Sequence, residues 1–86
     1  MEHKKIKVWV EYDSYGDYVS GKNIECDTYN EVIKELGNFE NNPDCFSEYP
    51  GLQISIMISD FNQPMSDAVK NFYDVELAIK HCRSMS

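Results

Sequence analysis

A chain of 86 residues, 42% hydrophobic and 13% aromatic, is one globular domain: too short for a second core and too apolar for a disordered tail. Its net charge of −7 excludes a direct grip on nucleic-acid phosphate or an anionic membrane surface, both of which need Lys and Arg. The charge is uneven, with +2 on residues 1–10, −8 on residues 11–48 and −1 on the rest, so basic proteins are the expected partners.

In chain order, "KKIKVWVEYD" alternates, sending Ile6, Val8, Val10 and Tyr12 to one side and Lys5, Lys7, Trp9, Glu11 and Asp13 to the other. That is a half-buried strand. "DSYGD" supplies a turn, with Gly16 free to take positive φ. "YVSGKNIEC" is the return strand of a hairpin: Ile24 and Cys26 share one face, Asn23, Glu25 and Asp27 the other, and Gly21 marks the expected bulge. "DTYNEVIKELGNFE" is the clearest helix. Thr28 and Glu31 form a capping box, and Tyr29, Val32, Ile33, Leu36 and Phe39 fall on one stripe. Residues 41–51, punctuated by Pro43, Pro50 and Gly51, form a loop. "LQISIMIS" is a second strong strand, with Leu52, Ile54, Ile56 and Ile58 inward and Gln53, Ser55, Met57 and Ser59 outward. "DFNQP" is another turn.

The remainder has two readings. Residues 66–83 form one long helix, or "MSDAVKNF" is a fourth strand followed by a short helix capped by Asp74. Self-comparison at an offset of 46 favours the second: Val8, Val10 and Tyr12 fall on Ile54, Ile56 and Ile58, Cys26 on Phe72, and Thr28 on Asp74. The chain then contains two copies of strand–strand–helix. The expected fold is a two-layer α+β sandwich, a four-stranded antiparallel sheet in the order ββαββα with both helices on one face. The alternative is ββαβα with a long C-terminal helix. In either case one sheet face meets water.

Motifs for chemistry are scarce. Asp13, Tyr15 and Asp17 alternate like a calcium loop, but tyrosine is no ligand and position 24 holds Ile instead of the distal glutamate. Cys26, Cys45 and Cys82 are widely spaced with no CxxC, which points to reduced thiols and to neither zinc nor redox chemistry. His81 and Cys82 are adjacent, so on a helix they diverge by about 100° and do not share a metal. No phosphate-binding glycine motif is present. The expectation is a non-enzymatic protein without metal or cofactor. "MEHKKIKVWVEYD" lacks an apolar signal-peptide core, and no segment approaches the roughly 20 apolar residues of a membrane span, so the cytoplasm is the expected setting, a host's if the chain is phage-encoded.

The outward face of the sheet needs an explanation. If Val8 and Val10 are buried, Trp9 is not, unless the 41–51 loop or the C-terminal tail covers it. Glu11 and Asp13 share that face, with Glu25 and Asp27 across the hairpin. Strands disfavour acids and like charges opposite each other are destabilising, so such an arrangement suggests selection for contact. A regular row of carboxylates resembles a nucleic-acid backbone to a basic groove, and an exposed indole with a tip tyrosine supplies an anchor. In size and charge the chain is similar to small acidic inhibitors encoded by phages, many anti-CRISPR proteins among them. The expected partner-binding residues are therefore Trp9, Glu11, Asp13, Tyr15, Asp17, Glu25 and Asp27 of the hairpin, with Glu31 and Glu35 of the first helix. The expected partner is a basic, nucleic-acid-handling protein. The rival readings are a toxin-neutralising immunity protein and an assembly module that self-associates through Trp9 and Met57.

Overall fold

The computed structural model describes residues 3–86. Apolar alternation builds the sheet: β1 (Ile6–Ser14), β2 (Asp17–Cys26), β3 (Leu52–Ser59) and β4 (Val69–Phe72) pair antiparallel in the order β2-β1-β3-β4. The helices α1 (Tyr29–Leu36) and α2 (Val75–Met85) follow the second and fourth strands. Ile6, Val8, Val10, Ile54, Ile56 and Ile58 point to the same side and are buried against Val32 and Leu36 of α1 and Val75, Ala78, Ile79 and Cys82 of α2. Both helices therefore lie on one face, giving the two-layer ββαββα sandwich. No helix among the described residues is long and apolar enough to cross a membrane.

Each helix starts on a polar cap. Thr28 accepts from the Glu31 amide at 3.2 Å, and the Glu31 carboxylate accepts from the Asp27 amide at 2.9 Å, one residue earlier than a standard capping box. Asp74 accepts from the Leu77 amide at 3.2 Å. α1 stops at Leu36, so Phe39 packs on the core edge from beyond the helix.

The long helix over 66–83 does not form. Residues Met65–Asp67 make a 3-10 turn after Pro64, and the Asp60 amide donates to Ala68 O at 2.7 Å. That turn also shortens the strand expected over 65–72 to four residues.

The two strand–strand–helix units are present with a gap that ungapped comparison misses. Cys26 and Phe72 each lie two residues before a helix cap, an offset of 46, but their strand partners are Ile6 and Ile56, an offset of 50. The second hairpin is four residues shorter. Val8 lies opposite Ile58, also an offset of 50, so the pseudo-two-fold axis passes between that pair at the sheet centre.

The first hairpin turns on Tyr15 and Gly16, both at positive φ (49° and 86°), as in a type I′ turn. The bulge lies at Val19 and not at Gly21: Tyr12 pairs with Ser20 and Asp13 with Tyr18, leaving Val19 unmatched. Val19 thereby packs against the core, and Tyr18 emerges on the opposite face.

Candidate functional site

Pairing partners share a face, so the register lays out the open side of the sheet row by row. One row is Asn23–Trp9–Met57–Asn71, the next Gly21–Glu11–Ser55, and the third Tyr18–Asp13–Gln53. On the other side of the Trp9 row lie Glu25–Lys7–Ser59–Val69. The 41–51 loop does not cover this face. It packs on the helix side, where Phe46 meets the Tyr12 ring at 5.1 Å and Tyr12 Oη donates to Glu40 O at 2.6 Å.

Trp9 is half-buried without a covering segment because its indole lies across β2, in the space left by the missing side chain of Gly21. A β-carbon at position 21 would sit 2.6 Å from Trp9 Cη2. Tyr18 closes the far side, its hydroxyl 3.0 Å from the same point. The indole Nε1–H donates to Glu11 Oε1 at 3.0 Å. Beside Trp9, on the Lys7 side, a shallow dimple of about 300 Å³ is lined by Lys7, Trp9, Asn23, Met57 and Ser59.

Asp13 follows Glu11 on the same face. Partial burial, then a hydrogen bond and charge repulsion from Glu11, hold its carboxyl above the usual carboxylate range. The cross-strand neighbours of the two acids, Gly21, Ser55, Tyr18 and Gln53, are all neutral, and neither acid has an ion-pair partner among the described residues. Glu25 and Asp27 differ: Glu25 lies opposite Lys7, and Asp27 pairs with Lys5 at 2.9 Å. The premise of like charges opposing each other across the hairpin is thereby corrected. The open face has one charge-balanced end and one uncompensated pair.

The remaining expected residues lie elsewhere. Tyr15 is in the turn with its ring against the Gly51 backbone. Asp17 opens β2 opposite Ser14, one position past the Asp13–Tyr18 pair, so it leaves on the opposite side from Asp13. Glu31 and Glu35 belong to α1 in the helix layer, and Glu31 is engaged at the Asp27 amide. Trp9, Glu11, Asp13 and Glu25 are brought together on the open face, with Asp27 just beyond its end. Tyr18 and Gly21 complete the seat and escaped the sequence reading. The out-of-phase pair Tyr18–Val19 was the available signal, since Val19 suits the core only if a bulge intervenes.

Other polar clusters are already satisfied. Asp60, 3% exposed, accepts from Tyr29 Oη at 2.6 Å and from the Asn62 amide and side chain at 3.1 and 2.9 Å. Burial alone would raise its carboxyl, but these bonds outweigh it and hold the group below its usual 3.8. Burial pushes the Cys82 thiol up to about 11, and burial with neighbouring acids raises Cys26. Neither is a nucleophile at neutral pH. His81 sits between the Phe72 and Tyr29 rings, its pKa lowered by burial and by Lys70. Among the described residues no three His, Cys, Asp or Glu side chains gather as a metal site requires. The chain matches no known family model, no curated protein sequence and no solved structure.

Proposed function

We propose that this chain is a non-enzymatic binding protein whose open sheet face docks a basic, nucleic-acid-handling partner and occludes that partner's nucleic-acid site, as phage-encoded anti-defence inhibitors of the anti-CRISPR kind do. The observation that carries the reading is the Trp9 seat. An indole held over Gly21 beside an uncompensated pair of carboxylates is an apolar anchor next to unspent negative charge. Interface hot spots combine these two elements, a rigid aromatic and a charge that steers encounter. The net charge of −7 adds long-range attraction to any basic groove. Acids on the helix layer and at the hairpin tip contribute to that field rather than to the contact.

The test is capture from a bacterial lysate on immobilised protein, at salt between about 50 and 500 mM. The expected partner binds nucleic acid, elutes as salt rises, and loses its nucleic-acid binding when the chain is added. Substituting Trp9→Ala together with Glu11→Gln and Asp13→Asn abolishes capture. The reading fails if those substitutions leave capture and its salt dependence unaltered.

A second reading draws support from Met57 and Val69, exposed on the same face at 38% and 42%. A second copy could cover this apolar strip. Sedimentation at several concentrations separates the two, because a tight self-dimer hides the Trp9 seat.

A further inference from the structure

We propose that the open face receives an arginine side chain of the partner, its guanidinium laid across the Glu11 and Asp13 carboxylates beside the Trp9 indole, with an apolar neighbour of that arginine in the dimple between Trp9 and Met57. The proposal rests on the docking reading above and adds the chemistry of what is docked.

The face is apolar at its centre and its charge is complementary to a single cation at a single place. Lys5 and Lys7 offset Asp27 and Glu25 at one end. Lys22 pairs with Val10 and so belongs to the helix side, where its ammonium lies 5.9 Å from the Phe39 ring centre. No cation of the described chain reaches Glu11 or Asp13. These two acids are two positions apart on one strand, about 6.6–6.8 Å along the backbone, and the register puts both on the open face. A planar fork with five donors spans two such acceptors, whereas a compact, strongly hydrated ammonium addresses one at a time.

The indole sets the position. Glu11 is fixed by the bond from Trp9 Nε1–H, so a cation bound to its free lone pairs arrives beside the indole edge. Guanidinium is weakly hydrated and sheds water there more readily than an ammonium. On the far side of the indole the dimple lies beside Lys7, which repels a second cation, and its walls include the Trp9 ring and Met57. Its volume of about 300 Å³ admits one apolar side chain. The cation subsite and the dimple lie on opposite sides of one indole. The dimple is centred near residues 7–9 and the acids near 11–13, about four strand positions or roughly 13 Å, which fits side chains four apart in an extended segment.

The test uses three capped peptides, one with leucine and arginine four positions apart, one with lysine for the arginine, and one with alanine for the leucine. Trp9 is the chain's one tryptophan, so its indole N–H gives a single resonance to follow by NMR. The expected result is a saturable movement of that resonance, with the arginine–leucine peptide about fivefold tighter than either variant peptide. Binding is lost in Glu11→Gln/Asp13→Asn, a surface substitution that leaves the fold intact. Equal binding of the lysine peptide, persistence in the double variant, or a motionless indole at millimolar peptide overturns the assignment. If the peptides fail while Trp9→Ala still abolishes capture of the basic protein partner, the arginine falls and the docking reading stands. If the peptides bind as expected while capture ignores these substitutions, the docking reading falls and the arginine site stands.

Discussion

At position 21 a side chain and the Trp9 indole would compete for one space, since an added β-carbon lies 2.6 Å from Trp9 Cη2. Gly21→Ala therefore sets two effects against each other. Alanine gains about 0.5–1 kcal/mol over glycine within a strand, and the displaced indole gives up its packing and its bond to Glu11. Net stability is expected to change by less than about 1 kcal/mol, while Trp9 emission moves to the red and partner capture weakens. Unchanged emission would show that the indole is not seated over Gly21. Asp60 offers a second single-residue test. Its carboxyl is held below 3.8, so its contribution is present above that pH and is lost as pH falls through the folded value. Tyr29→Phe removes the 2.6 Å donor, and its expected cost is about 1–2 kcal/mol at pH 7. The cost shrinks as pH falls through the folded value, below 3.8, where Asp60 takes up a proton with or without the tyrosine. Urea unfolding at pH 7 and at successively lower pH measures it. Neither feature was legible in the sequence. Gly21 signals a gap only once the register places Trp9 over it, and Asp60 is an ordinary turn residue until Tyr29, 31 positions away, reaches it.

Elements were more legible than contacts, because period and capping are local. The alternations of β1 and β3 and the stripe on α1 fixed three elements and their buried faces. Two errors came from forces that are not local. Val19 is pulled to the core by neighbours on other elements, which moves the bulge away from Gly21 and turns Tyr18 outward. β4 is cut short because residues 65–67 are better satisfied in a turn anchored at Pro64 and at the Asp60 amide. The start of α2 is a further non-local feature. Asn41, from the loop after α1, donates to Asp74 at 2.7 Å and accepts from the Val75 amide at 2.8 Å, so the cap is a pair and not a single residue. Asp74→Ala and Asn41→Ala are each expected to cost about 1 kcal/mol. Because the two share one helix end, their effects couple by at least about 0.5 kcal/mol in a double-mutant cycle. Additive effects would mean that Asn41 and Asp74 act on α2 separately.

Over the whole molecule, the doubled strand–strand–helix plan and the charge pull in different directions. The doubling places β1 and β3 at the sheet centre around Val8 and Ile58, so both units share one core. The charge is not doubled: residues 11–48 hold −8 of the net −7, and only two ion pairs form among the described residues. Uncompensated negative charge destabilises the compact state by self-repulsion, and salt screens it. Asp13 reports this locally. Its raised carboxyl costs stability when ionised, a cost that disappears as pH falls through the raised value. Asp13→Asn is accordingly expected to raise Tm at pH 7 and to leave it unchanged near pH 3, where the carboxyl is protonated. Added salt is expected to raise the Tm of the unsubstituted chain and to weaken docking of a basic partner. A charge that acts only as a solvated surface would move stability with salt and leave binding alone. Opposite movements of the two, with Asp13→Asn reducing both responses, identify charge held at a cost to the fold because a partner is needed to neutralise it.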